Sequence, residues 1–230
     1  MTIKSPSDKE SQIAELRSLL SRLDLTPEKI RQIEQEIRNI GSGFAGEKEA
    51  ALYIDEKLGE SRNWAVIHDL RLEYQHDSAQ IDHLIINRLM EILVCETKRF
   101  SEGITINEHG ECSSVYKGEK RGIPSPFVQN QHHILFLRRF LEAGVVKLPT
   151  RLGFPIKPSI KSLVLIATRA VIERPKAKIP GIDTLIKSDQ FGLVFDQTIN
   201  RGGNLAKVIG RDALIQFAHR CATNLSTGIL

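Results

Sequence analysis

The stretch QIDHLIINRLMEILVCETKR, residues 80–99, constrains this chain more than any other. Two apolar, β-favouring runs, HLIIN and EILVC, lie a few residues apart, which predicts a strand hairpin with its turn centred on Leu89. Facing positions in such a hairpin sum to 178, so Asp82 is expected opposite Glu96. Directly paired residues hold their Cβ atoms about 4.5–5.5 Å apart. Side chains alternate along a strand, so Glu96 and Lys98 share one face and Thr97 takes the other. A register slip of one residue would reverse those faces. Two carboxylates this close repel, and burying ionised groups is costly unless they are paired or hold a metal. An exposed Glu-x-Lys ion pair is the ordinary alternative, but this strand is too apolar to lie in solvent. Hard oxygen ligands with open positions suit Mg²⁺ or Mn²⁺ better than zinc.

Upstream, Ile13, Leu16, Leu20 and Leu23 form one helical stripe, and Ile30, Ile33, Ile37 and Ile40 form a second. Thr26 is the expected N-cap of the second helix, with Pro27 at its first position and a stop at Gly41. Residues 1–40 therefore read as a helical hairpin that needs a packing partner. GSG at 41–43 reads as a hinge before a third helix that ends near Gly59. WAVIHDLRL is the strand preceding the hairpin. Residues 99–124 read as a loop or small hairpin turning at His109–Gly110, and SPFVQNQHHILFLRRFLEAG as an amphipathic helix from Ser125 to Gly144. IKSLVLIAT is a buried strand, GIDTLIK a short element and FGLVFD an edge strand. A late helical region starts at Asn204 and breaks or kinks near Gly210. This order predicts an α/β fold with a mixed central sheet flanked by helices. The expected division is a hairpin at 1–40, a main domain at 41–200 and a C-terminal helical extension at 201–230 packed on the core.

At 230 residues, 41% apolar and 26% charged, the chain can bury a real core. No apolar run approaches the ~20 residues of a membrane span, and MTIKSPSDKES lacks the apolar segment of a secretory signal. Cys95, Cys112 and Cys221 are odd in number and far apart, which argues against a disulfide scaffold or zinc site and makes a reducing cytoplasm the expected compartment. Residues 1–98 carry 13 Lys/Arg against 18 Asp/Glu, and residues 99–230 carry 19 against 10. A basic second half is compatible with a polyanion-facing surface.

GFAGEKEAALYIDEKL, QIDHLIIN, ILVCETKRF and SPFVQNQHHILFL, in this order, resemble the successive blocks of the NERD (nuclease-related) domain, a branch of the PD-(D/E)xK nuclease superfamily. The resemblance covers about residues 41–142, continuing through IKSLVLIATRAVI to about 195. It implies a restriction-endonuclease-like core, with Glu47 as the acidic residue of the first helix, Asp82 and Glu96 as metal-binding carboxylates, Lys98 as the superfamily lysine and Gln129 as the helix glutamine. Family members often carry a Trp in the loop after the lysine and NP before the glutamine helix, where this chain has GECSSVY and SP.

The chemistry expected of that set is metal-dependent phosphodiester hydrolysis, with DNA as the first substrate to test. Asp82, Glu96 and the Thr97 backbone carbonyl would hold Mg²⁺ or Mn²⁺, and Lys98 would orient or deprotonate the attacking water. Glu47 is a candidate for a second ion, and Gln129 for orienting phosphate or water. Arg99, Lys117, Lys120, Arg121, Arg138 and Arg139 are candidates for contact with the nucleic-acid backbone. His68–Asp69 resembles an HD dyad but lacks the separated partners such hydrolases need, so a structural role is expected. His83 should point away from the carboxylates, His133 sits one helical turn from Gln129, and Cys95 should be a buried structural thiol. The rival expectation is a non-catalytic interaction module that keeps the fold. A homodimer would suit cutting of both strands, with the N-terminal stripes as its interface.

Overall fold

The computed structural model describes residues 1–22, 24–198 and 208–223. The chain runs β1 (Thr2–Lys4), α1 (Glu10–Leu19), α2 (Pro27–Leu58), β2 (Trp64–Tyr74), β3 (Asp77–Asn87) and β4 (Glu91–Lys98). Next come β5 (Gly103–Ile106), β6 (Cys112–Tyr116), β7 (Glu119–Ile123) and α3 (Pro126–Glu142). The remainder is β8 (Thr150–Arg151), β9 (Phe154–Pro155), β10 (Ser159–Ile166), β11 (Val171–Glu173), β12 (Leu185–Lys187), α4 (Phe191–Thr198) and α5 (Arg211–Thr223).

The apolar hairpin pairs as expected. His83 faces Cys95, Leu84 faces Val94, Ile85 faces Leu93 and Ile86 faces Ile92, so each pair sums to 178. Around it a six-stranded sheet takes the order β1-β2-β3-β4-β10-β12. β2, β3 and β4 are antiparallel neighbours, whereas β10 joins β4 in parallel after the crossover through α3. The sheet is mixed, as the element order predicts.

Alternation along β4 sorts its residues into two cores. Ile92 and Val94 pack with Phe140 of α3 and Phe217 of α5. Leu93 and Cys95 pack with Ala50 and Ile54 of α2 and with Phe191 and Phe195 of α4. Each residue of the run is almost wholly removed from water, which is why an uninterrupted apolar strand belongs here. A smaller four-stranded sheet, β11-β5-β6-β7, takes up the polar 99–124 region as two hairpins. The first turns through Gly110, which has φ +81°.

Four sequence expectations are corrected. First, α2 does not stop at Gly41 or hinge at GSG; it runs unbroken for 32 residues. The apolar period carries on in phase from Ile37 and Ile40 to Phe44, Ala51, Ile54 and Leu58. A helical glycine costs only about 1 kcal/mol relative to alanine, too little to end a helix with a continuous packing stripe. The expected 40/41 division thus falls inside one helix, whose buried residues begin at Phe44. Second, FGLVFD is α4 rather than an edge strand, because a short apolar run fits either period; the edge strand is β12. Third, the polar start contains β1, which pairs in parallel with β2. Fourth, the late helix begins after Gly210. The expected 204–207 portion, RGGN at 201–204, residues 224–230 and Leu23 lie outside the described residues. α5 itself packs on the core through Leu214, Phe217, Ala218 and Cys221.

Candidate active site

At the C-terminal end of β4 the β3–β4 ladder stops at the His83–Cys95 pair. There Asp82 turns its carboxylate to accept from the Thr97 backbone N–H at 2.7 Å. This holds Asp82 beside Glu96 on neighbouring strands. The two line one cleft of about 530 Å³, and Glu47, Thr97, Lys98, Arg99 and Gln129 line it too. Seven residues selected from sequence are therefore brought together, from α2, β3, β4 with its C-terminal flank, and α3.

Glu96 is 2% exposed. Its Oε1 lies 2.7 Å from Lys98 Nζ. Its Oε2 has no hydrogen-bond partner, and neither has Nδ1 of His133, 3.3 Å away. The two atoms are close without the alignment of a hydrogen bond. Glu47 is occupied at both oxygens by Lys9 Nζ, at 2.7 and 2.8 Å. Asp82 is pushed well above the usual carboxylate range, first by its removal from water and then by the charges of Glu96 and Glu47; the Thr97 N–H and Lys98 only partly offset this.

The positive charge in this site is unevenly placed: ammonium groups hold Glu47 and one oxygen of Glu96, and among the described residues none is paired with Asp82. An unpaired buried carboxylate oxygen beside a second carboxylate that resists ionising fits a hard divalent cation by donor type. Among the described residues, no three His, Cys, Asp or Glu side chains are gathered tightly enough to form a metal cage as they stand. Lys98 and Lys9 each already occupy a carboxylate there.

α2 approaches the site closely at Gly46, where a Cβ would meet Arg99 Cβ at 3.0 Å and Thr97 Cγ2 at 3.7 Å. A side chain there would have to shift the helix bearing Glu47 by a few tenths of an ångström against the strand bearing Glu96.

Behind the cleft, on the other face of β4, lies a buried polar chain. Thr97 Oγ1 is 3.0 Å from His83 Nε2, His83 Nδ1 is 2.7 Å from His68 Nδ1, and His68 Nε2 is 3.2 Å from Asp55 Oδ1. Burial pushes the Asp55 carboxyl up, but hydrogen bonds from His68 and Thr2 outweigh it and the net shift is downward. An ionised Asp55 accepts from His68 Nε2–H, which leaves His68 Nδ1 to accept from His83 Nδ1–H. His83 Nε2 then accepts the Thr97 hydroxyl proton. Burial, and next the neighbouring His68, hold His83 well below its ordinary pKa and keep it neutral. The expected structural roles of His68 and His83 fit this chain. Asp69 diverges from His68 and accepts from Gln80 Nε2 at 2.7 Å, so the two form no HD dyad. Cys95 is fully buried, and burial raises its thiol pKa strongly.

Five basic candidates lie outside the cleft. Lys117 is at the β6–β7 turn over the Tyr116 ring, Lys120 pairs with Glu173 at 3.0 Å, and Arg121 lies 3.9 Å from Glu119. Arg138 lines an adjoining groove of about 660 Å³ that shares Ser78, Ala79, Gln129 and His133 with the cleft. Arg139, in the same groove, pairs with Asp77 at 2.6 Å. Sequence reasoning missed Lys9 and Asp55, which carry no motif. It undervalued His133, whose helical spacing from Gln129 was the available signal.

Among the described residues no helix is long and apolar enough to cross a membrane. No curated protein and no solved structure matches the chain. A family model described as nuclease-related domain (NERD) matches residues 42–167, more than half of its length.

Proposed function

The chain belongs to the nuclease-related domain family, part of the restriction-endonuclease-like superfamily, and on that premise we propose that it is a divalent-metal-dependent nuclease hydrolysing phosphodiester bonds, with DNA the preferred substrate. One observation carries this reading: Asp82 and Glu96 meet at the cleft with too few partners for their charge, beside an ammonium. Asp82 and Glu96, with the Thr97 backbone carbonyl, hold Mg²⁺ or Mn²⁺. When bound, that ion supplies Lewis acidity toward the phosphate and a water of lowered pKa.

Lys98 orients the attacking water or takes its proton, and stabilises charge developing on the phosphate. Gln129 positions the phosphate or the water from α3. Arg99 and Arg138 contact the nucleic-acid backbone next to the cleft, and Lys117, Lys120 and Arg121 meet a longer substrate at the β6–β7 hairpin. These contacts confer affinity without base specificity. A dimer that presents two such clefts would cut both strands, and a cytoplasmic setting agrees with three reduced cysteines.

A non-catalytic interaction module is the second reading. Favouring it, ammonium groups already occupy Glu47 and Glu96. The test incubates purified protein with linear, circular and single-stranded DNA and with RNA, in Mg²⁺, Mn²⁺ or EDTA. Metal-dependent cleavage that is lost in Asp82→Ala, Glu96→Ala and Lys98→Ala is expected. Cleavage unchanged in those variants would remove the proposed site, and no cleavage together with no metal binding would establish the second reading.

A further inference from the structure

Lys9 lies outside the matched family segment, yet it reaches into the cleft. The strand β1 on one side and the helix α1 on the other hold its position: Thr2 pairs with Val66 and Lys4 with Ile67, while α1 packs along α2 from Glu10 onward. Its ammonium sits astride Glu47, at 2.7 Å from Oε1 and 2.8 Å from Oε2. Both side chains are largely out of water, at 15% and 14% exposure. An exposed lysine–carboxylate pair contributes little, but this one lies among two further carboxylates, where a fixed positive charge has a strong effect.

The three carboxylates of the cleft are unequally served. Glu47 has Lys9, Glu96 has Lys98 on one oxygen only, and Asp82 has the Thr97 N–H. Among the described residues of the cleft, only Glu96 keeps a buried carboxylate oxygen without a hydrogen-bond partner, Oε2. We infer that Lys9 is a built-in cation that takes the place of a second metal at Glu47, so that the site binds one divalent ion, on Asp82 and Glu96. This rests on the metal-dependent reading above and extends it. Lys9 is then a positioning residue: it neutralises Glu47 without needing a second ion.

Isothermal titration of the full chain with Mn²⁺ alone, with no nucleic acid present, tests this. Wild type is expected to bind one ion. Lys9→Met, which keeps the bulk and removes the charge, is expected to bind two, and Lys9→Arg is expected to stay at one. In Lys9→Met combined with Glu47→Gln the second ion should disappear. Two ions in wild type, or one in Lys9→Met, would overturn the inference while leaving the metal-dependent reading intact. No ion in wild type would overturn both. Should Lys9→Met fail to fold, Glu47→Gln alone decides: a retained single ion supports the inference, and loss of that ion overturns it.

Discussion

Asp82 shows how a side chain can be set against the stability of the protein that carries it. Its folded-state pKa lies above the unfolded value near 3.8, so the native state binds the proton more tightly. Without metal, that group therefore lowers stability as pH rises past about 4. Asp82→Asn keeps an oxygen for the Thr97 N–H and removes the repulsion. It should raise the metal-free protein's melting temperature and abolish any further rise on adding Mg²⁺; thermal melts with and without metal check both. His83 works in the other direction. Its depressed pKa means that the unfolded chain takes up a proton the native state refuses, so stability should fall as pH drops below about 6.5. His83→Phe leaves His68 Nδ1 and Thr97 Oγ1 unpaired and should cost about 1–3 kcal/mol by urea denaturation; it should also flatten that acid slope. Asp82 and Glu96 were legible in the sequence because a two-residue period and a short turn fix their pairing. Lys9 and Asp55 were not: their partners, Glu47 and His68, lie 38 and 13 residues away, and no local pattern links them.

Among elements, β2, β3, β4, α3 and β10 were readable because each has either a helical apolar period or a β-branched-rich apolar run, with clear ends. α2 was misread at its middle because glycines suggest an end, whereas the stripe around them decides. Its glycines make opposite predictions. Nothing lies within 4 Å of a Cβ built on Gly41, so Gly41→Ala should stabilise the protein by about 0.5–1 kcal/mol. Gly46→Ala meets Arg99 Cβ at 3.0 Å and should shift Glu47 relative to Glu96. The expected signature is a lowered melting temperature with single-ion Mn²⁺ binding on Asp82 and Glu96 retained, measured by calorimetry and titration. β1 and α4 escaped sequence reading for a simpler reason: three residues, or a run as short as FGLVF, show no period to count.

Across the whole molecule, the charge imbalance between the chain's halves, 13 basic to 18 acidic and then 19 to 10, does not by itself locate a binding face. Lys120, Arg121 and Arg139 of the basic half are close to carboxylates, whereas Arg99 faces the cleft. Nucleic-acid affinity should fall with salt, with a slope set by the cations that are not already paired. Arg99→Ala should reduce the slope of log affinity against log salt by about one, and Lys120→Ala should change it less because Glu173 already holds that ammonium. Filter binding at several salt concentrations separates the two. The 32-residue α2 has a further consequence at this scale. One stiff rod carries Glu47 at the cleft and Asp55 at the end of the histidine chain, while its first four turns extend beyond the core with α1 alongside. Whatever grips that outer length gains a lever on the reaction chamber, and a tilt of the handle moves both carboxylates together.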